Sequence, residues 1–180
     1  MTIAARPGRH WVPDDLPGLP DDGNRYEIVD GELRVSPSPP WHHNTVGSRL
    51  ARALGNAAPP GLEVVVPGGG VITPRAYLIP DLAVVETAQA LDRDHKGDPT
   101  RIRLVVEVQS PSTGVDDARE RALHYAAAGI PSYWRILREP TLEVVVLELQ
   151  GKAYAEVARG PAVDVTLPFP VRLDLSTLLS

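Results

Sequence analysis

Two short apolar runs with acids at their ends, PDLAVV from Pro80 and LVVEVQSPST from Leu104, constrain this chain more than anything else in it. Each is short, rich in valine and bounded by turn residues, the pattern of a buried strand. Side chains alternate along a strand, so in the second run Leu104, Val106 and Val108 share one face, while Arg103, Val105, Glu107 and Gln109 share the other. Asp81 opens one strand and the acid-x-amide pair Glu107 and Gln109 closes another. One strand cannot surround a cation. Two cooperating strands can, and carboxylates on both would hold a hard ion such as Mg²⁺ or Mn²⁺, which neutralises phosphate charge and activates water for phosphodiester hydrolysis. Singly, Asp81 reads as a turn acid after proline and Glu107 as a strand-end acid paired with an arginine such as Arg103; jointly, the spacing favours the metal.

Around these runs helix and strand signals alternate. Asp30-Gly31 sits between β-prone stretches at 25–29 and 32–36, the signature of a two-residue hairpin. From His42, the residues Val46, Leu50, Ala53, Leu54 and Ala57 recur at helical spacing and are stopped by Pro59-Pro60, predicting an amphipathic helix over 42–57. Residues 62–66 and 71–73 read as strands joined through Gly68-Gly69-Gly70. That triplet is a hairpin loop, since no Lys-Ser/Thr follows it to make a phosphate cradle. Residues 82–85 form a further strand, and 87–100 are polar and read as a surface loop.

Ser110 to Thr113 should turn the chain and cap a helix over 115–128, which Gly129 and Pro131 end. Residues 133–137, 142–149 and 153–158 alternate as strands, with Tyr133 and Trp134 as packing residues, and 173–179 close the chain with a short helix. The order predicts an α/β or α+β fold: a curved mixed sheet flanked by two main helices, with an N-terminal β-hairpin. Residues 1–20 are expected as a loose arm with a helical turn near 14–19, and 21–180 as a single domain.

Composition removes several classes of chemistry. The 180-residue chain has no cysteine, which excludes disulfides, thiolate zinc sites and cysteine nucleophiles, so any metal must sit on oxygen or imidazole. With no long apolar run and no leader-like start, the expectation is a cytoplasmic protein that does not enter membranes. A net charge of −5 does not announce nucleic acid, so a polyanion-binding face would have to be local. Arg49, Arg52, Arg101, Arg103, Arg119 and Arg121 could contribute to one but are scattered among acids.

The segments YEIVDGELRVSPSP, PDLAVV, LVVEVQSPST and DDARERALHYAAAGIPSYW, in this order, resemble the successive signature blocks of the Uma-two (Uma2) family of restriction-endonuclease-like proteins, within the PD-(D/E)xK nuclease superfamily. The resemblance runs from about Arg25 to Leu149 and implies a restriction-endonuclease-like core. It implies that Glu27 is the early acid of the site, with Glu32 of the same block as its competitor. It makes Asp81 and Glu107 the metal ligands for Mg²⁺ or Mn²⁺, and Gln109 the amide form of the position usually held by lysine. An amide can orient water but carries no charge.

His42 matches a histidine at the start of the family's first helix, and reads equally as a boundary residue or a phosphate contact. Arg121 stands where many relatives carry a lysine on the second helix; a helix pair between Asp117 and Arg121 is the alternative reading. Ser132 replaces a glutamate that relatives often have. The function implied is a metal-dependent endonuclease cutting nucleic acid, DNA by analogy, as a homodimer. The alternative is a nuclease-fold protein that binds nucleic acid or another partner without cutting.

Overall fold

The computed structural model describes residues 10–67, 69–93, 96–109, 115–138 and 140–178. After a 3₁₀ turn at Pro13–Gly18 come β1 (Asn24–Val29), β2 (Glu32–Pro37), α1 (Trp41–Ala57), β3 (Leu62–Val65), β4 (Gly70–Ile72), β5 (Ala76–Leu78) and β6 (Leu82–Glu86). Next are α2 (Thr87–Ala90), β7 (Lys96–Gly97), β8 (Ile102–Val108), α3 (Val115–Ala127), β9 (Ser132–Leu137), β10 (Glu143–Gln150) and β11 (Ala153–Gly160). The short elements β12 (Ala162–Val165), β13 (Val171–Asp174) and α4 (Leu175–Leu178) follow.

The fold is mixed α+β around a six-stranded mixed sheet in the order β11-β10-β9-β8-β6-β3. Only β8 and β9 run parallel within it, joined through α3, as a parallel pair requires a crossover. Alternation along β8 sorts its side chains onto two cores. Leu104, Val106 and Val108 meet Val46, Leu50 and Leu54 of α1, together with Trp134, Ile136 and Phe169. Val105, on the opposite face, packs with Tyr125 of α3, Ile130 and Tyr133, and with Val29, Val71 and Leu78 of a second, five-stranded sheet ordered β2-β1-β5-β4-β7. The two main helices therefore lie on opposite faces of the large sheet. Tyr133 and Trp134 are wholly buried, as packing residues should be.

The expected hairpin is present: β1 pairs antiparallel with β2 from Val29↔Glu32 to Asn24↔Pro37. Asp30 at φ 51° and Gly31 at φ 84° make the two-residue turn. A Cβ on Gly31 would collide with the His10 ring, and its φ disfavours any side chain. Gly31→Ala should therefore cost about 1–3 kcal/mol of stability, measured by urea denaturation, whereas Gly18→Ala, where a Cβ meets nothing within 4 Å, should cost far less.

Several expectations are corrected. Residues 62–66 and 71–73 do not form a hairpin: β3 pairs with β6 in the large sheet, while β4 pairs with β5 and β7 in the small one. β3 ends at Val65 in one sheet and β4 begins at Gly70 in the other, and Gly68 lies outside the described residues. The 87–100 loop carries α2 and β7, and the C-terminal segment forms the β12–β13 ribbon before α4. The Ser110 to Thr113 turn lies outside the described residues, as do residues 1–9. Of the N-terminal segment, Trp11 is buried with Ile28 and Tyr77, its N–H donating to Gly31 O at 2.9 Å. No helix among the described residues is long and apolar enough to cross a membrane.

Candidate functional site

β1, the entry to β6, the end of β8 and α3 border a cleft of about 520 Å³ whose lining includes Glu27, Asp81, Glu107, Gln109, Asp117 and Arg121. Strand pairing explains the central acids. Leu82 on β6 pairs antiparallel with Val106 on β8, so the next step of that register sets Asp81 beside Glu107. The Asp81 N–H donates to Val106 O at 3.1 Å, tying the entry of β6 to β8. Gln109 follows two residues after Glu107 on the same face, and Arg135 Nη2 on the neighbouring β9 donates to its Oε1 at 2.8 Å.

Asp81 is clasped from three sides. Arg25 Nη1 donates to Oδ1 at 3.1 Å, the Val108 N–H donates to Oδ2 at 2.8 Å, and His43 Nε2 stands 3.1 Å from Oδ2. His43 Nε2 is also 2.9 Å from Val108 O, which can only accept, so that nitrogen carries the hydrogen. Burial pushes the Asp81 carboxyl up, but His43, the Val108 N–H and Arg25 outweigh it and leave the carboxyl below its ordinary value. The same hydrogen bond to Asp81 raises His43.

Arg121 organises the other two acids. Its Nη2 donates to Glu27 Oε2 at 2.6 Å, and its Nη1 to Glu27 Oε1 at 3.0 Å and to Glu107 Oε1 at 3.2 Å. Its Nε reaches Asp117 Oδ2 at 3.3 Å, one helical turn away. Glu27 Oε1 also accepts from the Ile79 N–H at 2.7 Å, and Glu107 Oε1 from Tyr125 OH at 2.7 Å. Burial pushes the Glu107 carboxyl up to about 7, against the pull of Arg121. Burial works against the charge on Arg121, but Glu107 and Glu27 outweigh it and hold the guanidinium charged. The Tyr133 hydroxyl, at the edge of the cleft, is buried without a hydrogen-bond partner among the described residues.

Glu27, Asp81, Glu107, Gln109, Asp117 and Arg121 thus stand together. The hairpin separates the competing acids of the first block: Glu27 is buried and faces the cleft, whereas Glu32 is exposed beside the turn. The histidine assignment shifts by one. His42 is exposed and His43 is the one that reaches Asp81, because the buried stripe of α1 runs His43, Val46, Gly47, Leu50 and Leu54. Glu107 pairs with Arg121, not with Arg103, which bonds Glu86 instead. Arg25 and His43 line the cleft and contact Asp81, and sequence reasoning singled out neither. Counting back three from Val46 on the apolar stripe would have found His43; Arg25 had no signal beyond its place in the hairpin.

Among the described residues, the one group of three or more His, Asp or Glu ligand atoms lying within 4.8 Å of one another is Asp30, Glu120 and His124, outside the expected pair. Arg75 and Arg34 already engage its two acids, at 2.9 Å to Asp30 and 2.5 Å to Glu120.

The family model Uma2, described as "Putative restriction endonuclease", matches residues 13–177. A search of curated proteins found no match. Among solved structures, a crystal structure described as a putative nuclease belonging to DUF820, from Anabaena variabilis, superposes with a TM-score of 0.71 at 17% identity. That match covers 92% of this chain and 95% of the other. At that identity the likeness speaks for the fold.

Proposed function

Since the chain belongs to the Uma2 family, whose model spans 13–177, we propose that it is a divalent-metal-dependent endonuclease hydrolysing phosphodiester bonds in DNA. The observation that carries this reading is the convergence of Glu27 on β1, Asp81 just before β6, Glu107 on β8 and Arg121 on α3 on one cleft. Such a gathering of partly buried charge has no structural need that apolar residues would not meet better.

The donor set suits a hard ion, being carboxylate and amide oxygen throughout. Asp81 and Glu107 would hold Mg²⁺ or Mn²⁺, with Glu27 assisting. When bound, the ion supplies charge neutralisation on the phosphate and lowers the pKa of water. The rest falls to the chain. Gln109, its oxygen fixed by Arg135, turns its amide hydrogens to orient the attacking water. Once Arg121 swings off Glu27, one movement yields a carboxylate able to take the water's proton and a planar fork able to grip a phosphate through two hydrogen bonds. Arg121 itself does not shuttle protons, since it stays charged. The water oxygen bonds to phosphorus as its proton passes to Glu27, and the bond from phosphorus to the sugar oxygen breaks, that oxygen leaving as a hydroxyl with a proton taken from solvent water. We take the working form as a cytoplasmic homodimer with residues 21–180 as one domain, by family analogy.

A second reading, a nuclease-fold protein that binds without cutting, is favoured by one observation: Gln109 and Arg121 stand where lysine is usual, and Arg121 is committed to Glu27 and Glu107. Cleavage separates the two. Supercoiled plasmid and labelled single-stranded DNA and RNA, incubated with Mg²⁺, Mn²⁺ or EDTA, should be cut only with metal. An identically purified Glu107→Ala protein should lose more than about 100-fold, beyond what loss of an outer-shell partner costs. No cutting by either protein moves the assignment to the binding reading.

A further inference from the structure

Each arginine that lines the cleft is already engaged by an acid. Arg25 bonds Asp81 at 3.1 Å, Arg34 bonds Glu120 at 2.5 Å, and Arg121 bonds Glu27 and Glu107 at 2.6 and 3.2 Å. Arg135 on β9 differs. It is partly buried and forms no ion pair among the described residues. Its Nη2 donates to a neutral group, Gln109 Oε1, at 2.8 Å, and its Nε is buried without a partner. Taking a guanidinium out of water costs free energy that an opposite charge would offset, and none stands against it here. One bond to an amide offsets only part of that cost. An apolar side chain would serve the fold at least as well, so the charge points to a role at the site.

Strand pairing says what that role is. β8 and β9 run parallel with Glu107 opposite Arg135, and the Gln109 N–H donates to Ile136 O at 2.9 Å, which sets Arg135 beside the end of β8. Paired residues on neighbouring strands, and residues two apart on one strand, share a face, so Glu107, Gln109 and Arg135 all point the same way. Gln109 lines the cleft and Arg135 does not, so the arginine meets the site through the amide.

A guanidinium can only donate, which settles the orientation of that amide: its oxygen faces Arg135 and its NH₂ end is turned away. The two amide hydrogens make no bond among the described residues. A positive charge at the oxygen end draws electrons toward it and leaves the N–H groups stronger donors, since bonds in such a chain polarise one another.

We propose that Arg135 is a positioning residue for hydrolysis: its uncompensated charge, carried through the Gln109 amide, fixes and strengthens the donors that orient the attacking water. The proposal rests on the nuclease reading and adds a second cation to the one Arg121 supplies. Arg135 takes up no proton, since a guanidinium stays charged; the water's proton goes to Glu27.

Two substitutions and their combination test this on plasmid DNA in Mg²⁺. Arg135→Met removes the charge and should lower kcat about 10- to 100-fold, as loss of an outer partner does, with KM within about threefold. Its melting temperature should equal or exceed that of the unsubstituted protein. Gln109→Lys sets a charge on the cleft wall directly and needs no arginine beside it. In the Arg135→Met background it should bring kcat back to within about threefold of the unsubstituted protein, a large departure from additivity. Alone, it sets two like charges together and should melt lower. A readout free of metal and turnover is the side-chain amide NMR signal of Gln109 in EDTA, identified by its loss in Gln109→Lys. That signal should move in Arg135→Met toward the position of a free glutamine.

Unchanged kcat in Arg135→Met, a loss that Gln109→Lys does not restore, or an unmoved amide signal overturns the role of Arg135 and leaves the nuclease reading intact. An unsubstituted protein that cuts nothing beside a double variant that cuts overturns it too, and moves the native chain to the binding reading. Absence of cutting by every one of these proteins overturns both.

Discussion

Glu107→Gln should make the protein more stable at pH 8 and unable to cut. Unfolded, this carboxyl titrates near its ordinary 4.5; in the fold, burial lifts it to about 7. Below pH 4.5 both states hold the proton and the fold has its full stability. As pH rises toward 7 the unfolded chain gives up the proton first, so folding loses free energy, and the loss levels off once the folded carboxyl also ionises. A shift of this size corresponds to about 3 kcal/mol between the two plateaus. Glutamine mimics the protonated acid. It keeps an oxygen for Tyr125 OH and Arg121, and Arg121 keeps its two bonds to Glu27. The variant should therefore match wild type near pH 4.5 and melt about 6–12 °C higher at pH 8, read by calorimetry across pH. Removing the charge that would hold the metal should abolish metal-dependent cutting in the same sample. A variant that is both stabilised and dead separates a functional carboxylate from a structural one, since loss of a structural group costs stability.

Much of this site was legible before the fold was known, and the reason is local. Glu107 and Gln109 lie at the end of one strand whose alternation is fixed by the pleat, so their shared direction follows from spacing; that Asp81 stands beside Glu107 needed the β6–β8 register. The Asp30-Gly31 turn was equally local, its backbone demands being met by those two residues. Alternation could not choose between Glu27 and Glu32, because the turn separates them; only the docking of β1 against β5 turned Glu27 to the Ile79 N–H. The split into two sheets was also hidden. The partners of β3 and β4 are β6, β5 and β7, and nothing in a valine-rich segment says which distant strand it will join. His43 was missed for a simpler reason: assigning the stripe from Val46 onward left its first turn one residue out of register.

The second large effect is expected at Arg121, where lost stability and gained metal affinity should appear together. Its guanidinium contacts Glu27, Glu107 and Asp117 within 3.3 Å and is mostly buried. Breaking a buried pair by removing one partner leaves the other charge uncompensated, at a cost of about 3–5 kcal/mol. Arg121→Gln should therefore melt well below wild type in EDTA. The same vacancy leaves two facing carboxylates without a cation, and a divalent ion entering no longer meets a positive group. Mn²⁺ affinity measured by calorimetry should rise at least about 10-fold, and added Mn²⁺ should raise the variant's melting temperature more than wild type's, because a ligand that binds only the folded state stabilises it by mass action. Arg121→Lys keeps the charge but loses the planar fork, so it should fall between the two in both measurements. If Mn²⁺ moves wild type and Arg121→Gln equally, the guanidinium and the metal do not compete. Asp81 and Glu107 would then hold the ion without help from Glu27, whose pairing with Arg121 stays undisturbed.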